Sequence, residues 1–319
     1  MGTLLITGGA GFIGSTLATK ALKKGWKVKI LDNLSTGLKE TSDKLGSMGV
    51  EVLIGDIRDE EILHKAIRGC DLVVHLAAQV SVPISMKDPK ETMSVNVDGT
   101  SKVIEACASF GIERMVMASS AAVYGDAQNL PLDEDDAGQF LSPYAESKWI
   151  NEQQILDARS NGFKATALRF FNVYGKGQTP DGAYAAVIPK FVDMMVHGVV
   201  PQINGDGLHT RDFVHVDDVC NAIFSLLKGK WQAEKFHVYN VATQTKITLL
   251  DLISSINLAL KKYKNDFQFI TPIHGPERIG DIRHSMASIS RIKDTLNWNP
   301  TVSFETGIEE LVLERLEMM

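Results

Sequence analysis

Cysteine is scarce in this chain: Cys70, Cys107 and Cys220 are the three present, and they lie far apart. Scattered thiols make neither a disulfide framework nor a CxxC metal site, and a reducing, cytoplasmic setting suits them best. Long apolar runs are missing too, and none reaches the ~20 residues of a membrane span. The first residues run from Leu4-Leu5-Ile6 straight into a glycine turn, a start that leaves no room for a secretory signal. Basic clusters are likewise absent. Lys and Arg number 33 against 39 Asp and Glu, the net charge is −6, and the cations are dispersed. That balance argues against nucleic acid, which needs a massed basic face; a small anion needs only one or two well-placed arginines. The eight histidines show no metal-ligand spacing, so no metal is expected, and His215 in Phe213-Val214-His215-Val216 reads as a packed side chain. Repeats, low-complexity tracts and flexible linkers do not occur.

What is present has the make-up of a soluble globular enzyme: 44% hydrophobic and 23% charged residues in 319. That length exceeds the ~250–300 residues at which one core stops growing, so one large domain or two coupled ones is expected. Short apolar runs at Thr3–Thr7, Lys27–Asp32, Glu51–Asp56, Leu72–Ala77, Arg114–Ser119 and Lys164–Phe170 predict strands. Helical patterns lie between them, at Ile13–Lys24, Glu60–Arg68, Thr92–Phe110 and Pro143–Ser160. Strands alternating with helices mean βαβ units, a parallel sheet and right-handed crossovers covering both faces. The fold class is α/β, a doubly wound Rossmann-type sheet. Beyond Asn172 the alternation weakens and prolines punctuate shorter elements, until a helix at Val216–Leu227 and a strand at Phe236–Val241 return to the sheet. The expected division is 1–171 with 212–242 for the sheet domain, and 172–211 with 243–319 for a smaller, discontinuous α/β domain.

The turn after the first strand carries Gly8, Gly11 and Gly14, with Phe12 and Ile13 opening the helix that follows. Glycines there permit a tight turn and let backbone approach a pyrophosphate, which then sits at the helix amino terminus. Asp32 ends the second strand, 18 residues past Gly14. A carboxylate at that place accepts hydrogen bonds from the adenosine ribose and repels a 2′-phosphate. No Arg stands in Asn33-Leu34-Ser35-Thr36-Gly37, so the cofactor expected is NAD rather than NADP.

Tyr144 and Lys148 form the chain's one Y-x-x-x-K pair. Four residues apart, they share a face of a helix that Ser142 can cap and Pro143 can start. A lysine ammonium beside a phenol favours the phenolate, which would lower the Tyr144 pKa and make it usable as a base.

In this order and spacing, GGAGFIG, DNLSTG, GDIRD, HLAAQ and the Tyr144/Lys148 pair resemble the extended short-chain dehydrogenases, the family of NAD-dependent epimerases and dehydratases. The resemblance spans nearly the whole chain. It implies that Asn33, Ser35, Thr36 and Gly37 belong to the cofactor site with Asp32, that Asp56 and Ile57 flank the adenine, and that Leu76, Ala77, Ala78 and Gln79 line the nicotinamide side. Ser120, four residues before the Tyr of VYG, would hydrogen-bond the reacting sugar hydroxyl beside Tyr144. Related dehydratases carry an acid pair right after that Ser/Thr to expel water. Here Ala121-Ala122 stand instead, and an acid to protonate a leaving hydroxyl is missing. Epimerisation at C4, which the resemblance also implies, needs less equipment.

The same resemblance implies a nucleoside-diphosphate sugar as partner. Arg169-Phe170-Phe171-Asn172-Val173-Tyr174-Gly175 matches a segment whose Asn meets the pyrophosphate, with Phe171 on the cofactor side. Arg211 and Arg278 match two phosphate-binding arginines, whose forked geometry suits phosphate oxygens, and Asp281 a ribose contact. Gln202 and Asn204 stand where the uracil edge would lie, with turn formation as the bland alternative. Gln79-Val80-Ser81-Val82-Pro83 and Gly182-Ala183-Tyr184-Ala185-Ala186-Val187-Ile188-Pro189 look most like epimerases that accept UDP-N-acetylhexosamines, which brings Ser81, Ala186 and Val187 into the sugar site. Ser285 falls where a Tyr closes the pocket of epimerases confined to UDP-glucose and UDP-galactose. A UDP-hexose 4-epimerase acting on UDP-GlcNAc and UDP-GalNAc, with UDP-Glc and UDP-Gal also accepted, is therefore expected. A homodimer through helices 92–110 and 143–160, as a four-helix interface, is the family default. The alternatives are a UDP-glucuronate epimerase or decarboxylase and a non-catalytic NAD sensor; the intact Ser120/Tyr144/Lys148 set speaks against the sensor.

Overall fold

Seven parallel strands form the centre of the computed structural model, which describes residues 2–180, 186–228, 231, 235–277 and 282–319. They are β1 (Thr3–Thr7), β2 (Lys27–Asp32), β3 (Glu51–Ile54), β4 (Leu72–His75), β5 (Arg114–Ser120), β6 (Ala165–Phe170) and β7 (Val238–Val241). Their spatial order is β7-β6-β5-β4-β1-β2-β3. The chain winds outward one way from β1 to β3 and then crosses back to β4. The β1/β4 junction is thus the switch point at whose carboxyl end a ligand crevice opens.

Alternate side chains explain why these runs are apolar throughout. Leu4 and Ile6 of β1 enter one core, with Leu17 and Ala21 of α1 (Phe12–Lys23). Leu5 enters the opposite core, with Leu63 of α3 (Glu60–Ile67), Val103 of α4 (Gly99–Ser109) and Ile155 of α5 (Pro143–Ser160). The helix α2 (Lys39–Ser47), which the sequence reading did not separate, packs on α1 through Leu45. A sheet covered on both faces has no polar side to alternate with.

A third core lies away from the sheet. It gathers Phe191 and Met195 of α6 (Val187–Val196), Leu252 and Ile256 of α8 (Leu249–Tyr263) and Leu311 of α9 (Phe304–Glu317) around Tyr174 and Phe213. The helix α7 (Val216–Leu227) returns to the first core, packing against α1. The segment expected as one helix over Thr92–Phe110 is broken: Pro89–Met93 is α-helical, Ser94–Asp98 is a π turn, and α4 resumes at Gly99. The π turn points Asn96 at the Gln79 backbone, whose N–H donates to Asn96 Oδ1 at 2.8 Å. Among the described residues no helix is long and apolar enough to cross a membrane.

Candidate active site

The glycine turn is as tight as its sequence demands. Gly8 has φ +70°, and a methyl there would press on the Ala77 backbone; one on Gly14 would overlap the Gly8 carbonyl oxygen. By contrast, a methyl on Gly11 would meet only that oxygen, at 3.3 Å. Gly11 is the N-cap of α1 and offers no side-chain cap, so the first amides of α1, at Phe12 and Ile13, lack the usual internal partner. Asp32 is buried at the end of β2. Its Oδ2 accepts from Ala10 N at 2.9 Å and its Oδ1 from Leu34 N at 2.8 Å, which ties the glycine turn to the Asn33–Gly37 loop. Each oxygen keeps a lone pair for a ribose hydroxyl. Gly37 packs so closely on this carboxylate that a side chain there would collide with it. Asn33 Oδ1 accepts from Ser35 N, and Ser35 and Thr36 are exposed on the loop. These features fit an adenosine diphosphate.

The two flanks of the crevice follow. Asp56 accepts from the Arg58 side chain and from Asn33 Nδ2, and the Arg58 hydrogen bond is the main reason its carboxyl falls to about 2. Its neighbour Ile57 is buried against Gly99. Across the crevice, Ala77 N donates to Thr7 Oγ1 at 3.3 Å, and Thr7 Oγ1 meets His75 Nδ1 at 2.7 Å. Burial, helped by the Lys148 charge, drops His75 to about 3, so it is a neutral bridge to Thr100 and no proton shuttle. Leu76, Ala77, Ala78 and Gln79 are half-buried along this edge, with Gln79 Nε2 donating to the Ser81 carbonyl. Ser81 in turn caps the helix Val82–Lys87.

At the carboxyl end of β5, Ser120 hydrogen-bonds the Tyr144 phenol, and Lys148 Nζ donates to the Ala118 carbonyl at 3.0 Å. Ser142 caps α5 through Ala145 N at 3.2 Å and Pro143 opens it, as the sequence indicates. The electrostatics correct one expectation. Tyr144 is raised, not lowered: burial dominates, and the Ser120 hydrogen bond only partly offsets it. Lys148 spends its ammonium on a strand carbonyl, and burial lowers it to about 8 against the pull of Glu152. The resting phenol therefore carries its proton. Ala121 and Ala122 occupy the turn after Ser120, so no carboxylate of that turn faces the reacting position.

The remaining residues come together from distant segments. Asn172 opens a short strand, Asn172–Tyr174, that pairs in parallel with Phe213–His215. Its Nδ2 donates to the Asp212 carbonyl at 2.9 Å. Asp212 is wholly buried and was not singled out in the sequence. Its carboxylate accepts from Thr243 N and Oγ1 (2.8 and 2.7 Å), Gln244 N (3.0 Å) and Ala287 N (3.3 Å). The bond to Ala287 and that from Ser285 N to the Thr210 carbonyl hold Ser285, half-buried, beside Arg211. A cavity of about 200 Å³ is lined by Asn172, Tyr174, Gln178, Ala186, Val187 and Phe213. Gln202 and Asn204 project outward from a strand paired with Ile273–Gly275, while Ile203 between them is buried. Phe171 has its ring in the core, 5.9 Å from Tyr124. Arg278, Asp281 and Asp181–Ala185 lie outside the described residues. His215 is buried, caps α7 through Asp217 N and packs edge-on to Tyr174. Among the described residues no group of His, Cys, Asp and Glu could hold a metal ion.

The model of the NAD dependent epimerase/dehydratase family matches residues 4–242. A protein of Methanocaldococcus jannaschii described as a putative UDP-glucose 4-epimerase is 36% identical over 97% of both chains. A UDP-N-acetyl-alpha-D-glucosaminuronate decarboxylase of Bacillus cytotoxicus is 30% identical over 97% of this chain and 96% of its own. Among solved structures, the UDP-N-acetylglucosamine 4-epimerase of Methanobrevibacter ruminantium, in complex with UDP-N-acetylmuramic acid, superposes with a TM-score of 0.90 at 34% identity, over 100% of this chain and 99% of that one.

Proposed function

The chain belongs to the NAD dependent epimerase/dehydratase family, and on that premise we propose that it is a UDP-hexose 4-epimerase interconverting UDP-GlcNAc and UDP-GalNAc, with UDP-Glc and UDP-Gal also accepted. It is an enzyme and its cofactor is NAD. The carrying observation is the half-buried Ser120, followed by two alanines, against the buried Tyr144 and Lys148. Such a site can move a proton on and off a sugar hydroxyl, and it carries alanines after Ser120 where an acid to expel one would stand.

When bound, NAD supplies the hydride acceptor and donor at the sugar carbon. The chain's own residues do the rest. Ser120 holds the C4 hydroxyl against Tyr144, and Tyr144 Oη, having first released its own proton to solvent, takes the sugar's proton and later returns it. Lys148, charged below pH about 8, is the cation at hand to favour the phenolate. Asn172, Arg211 and Arg278 anchor the diphosphate, which leaves the sugar free to present either face of its C4 carbonyl. Asp281 takes the ribose, and Gln202 and Asn204 the uracil. The support for acetamido sugars is the small Ser285 together with the wall of Ala186 and Val187. We also assign 172–211 and 243–319 to the nucleotide-sugar domain, a reading supported by the core that Tyr174 and α6, α8 and α9 share. A cytoplasmic homodimer through helices 92–110 and 143–160 completes the proposal; the exposed Leu156 on α5 supports it.

Proton NMR of the purified protein with UDP-GlcNAc and, separately, UDP-Glc tests this reading. Conversion of each to its C4 epimer is expected, with Ser285→Tyr slowing UDP-GlcNAc at least ~10-fold more than UDP-Glc. If neither sugar changes even with NAD added, the epimerase reading fails. Release of CO₂ from a UDP-uronate would then favour the chemistry of the Bacillus relative.

A further inference from the structure

Tyr144 and Lys148 are two members of a longer alignment. Residues 144, 148 and 152 stand one turn apart on one face of α5. Each meets a different one of three successive residues at the end of β5. Ser120 bonds Tyr144, the Ala118 carbonyl takes Lys148 Nζ, and between them Ser119 Oγ donates to Glu152 Oε1 at 2.5 Å. Glu152 has no solvent exposure, and its partner Arg169 on β6 has 1%. Arg169 grips it with two bonds, Nε to Oε1 at 2.8 Å and Nη2 to Oε2 at 2.7 Å. The remaining guanidinium nitrogen is spent on the Tyr124 hydroxyl at 2.9 Å and the Glu134 carbonyl at 2.7 Å. Tyr124 then donates to Asn240 on β7.

An apolar pair of like volume commonly holds a fold as well as a buried ion pair does. This one sits directly behind the reacting groups. We propose that Glu152 is a positioning residue: gripped by Arg169, its carboxylate locks the end of β5 to α5 and so sets the placement of Ser120, Tyr144 and Lys148. The inference rests on the reading of Tyr144 and Lys148 as the catalytic pair. Charge adds to placement. Burial pulls Lys148 down to about 8, and Glu152 is the neighbour that opposes it. Among the described residues no other group facing the lysine does so. His75 on β4 is neutral, Tyr144 is held neutral by burial, and Arg169 shares the lysine's sign.

The test measures kcat, KM, the pH profile of kcat and the melting temperature for the full chain and three variants. Ser119→Ala removes the strand's hold on Glu152 without exposing a buried charge. It is expected to lower kcat ~10-fold with KM within about twofold and melting little changed. Glu152→Gln leaves Arg169 unpaired and is expected to melt early. Glu152→Gln/Arg169→Met removes both charges and is expected to fold. Its alkaline limb of kcat should move down by about one pH unit as Lys148 loses its opposing charge. If Ser119→Ala keeps full kcat and the double variant keeps the wild-type limb, Glu152 serves packing alone and the proposal is overturned. Should neither charge variant fold, Ser119→Ala decides by itself. A wild-type chain that turns over no UDP-hexose would instead overturn the function proposed above.

Discussion

The cofactor crevice and the sugar-nucleotide region are built on opposite plans. At the ends of β1, β2 and β4, each important contact joins a strand end to the loop that follows it or to the next strand. Asp32 reaches back to Ala10 and forward to Leu34, and Gly8 abuts Ala77. Around Asn172, Arg211 and Ser285 the residues come from three segments spread over 113 positions of sequence, and Asp212 draws them together with a carboxylate that takes four bonds. The first plan fixes a shape that any dinucleotide enzyme needs. The second can vary a pocket by changing one pinned segment without disturbing the sheet.

The hardest break comes from Gly14→Ala. The added methyl has no space beside the Gly8 carbonyl, so NAD affinity should fall at least ~100-fold by titration while the third core stays folded. Asp212→Asn attacks the other plan. An amide can accept at one oxygen only, so at least one of the four donors is stranded in the interior. We expect a loss of about 2–3 kcal/mol in chemical denaturation, a ~10-fold rise in KM for the UDP-hexose and unchanged NAD binding. Equal damage to both ligands by either variant would mean that the two regions do not act separately. The Ser285→Tyr discrimination is the mildest of the set, since it alters one wall and no support.

The same contrast decides what the sequence made legible. Strand spacing, the glycine turn and Asp32 are local patterns, and every strand expected on the sheet is found within a few residues of its bounds. The Tyr144/Lys148 face was legible for the same reason, down to the Ser142 cap. The protonation state of Tyr144 was not, because it follows from burial by the rest of the molecule rather than from a neighbour four residues away. Short strands such as Asn172–Tyr174 exist only through their partner and leave no periodicity. The π turn at Ser94–Asp98 answers to contacts of Asn96 with Gln79 and Ser147 from other elements. Glu152 could have been found by extending Tyr144 and Lys148 one more turn. Asp212, beside an arginine already singled out, gives no sign in sequence that four donors converge on it.

The central claim is that Tyr144 carries the sugar proton, and turnover by Tyr144→Phe tests it most directly. With UDP-GlcNAc followed by NMR, the account predicts a fall of at least ~1,000-fold in kcat, with the fold and NAD binding intact. A variant that epimerises within ~10-fold of the wild type would contradict it and move the proton transfer to another group.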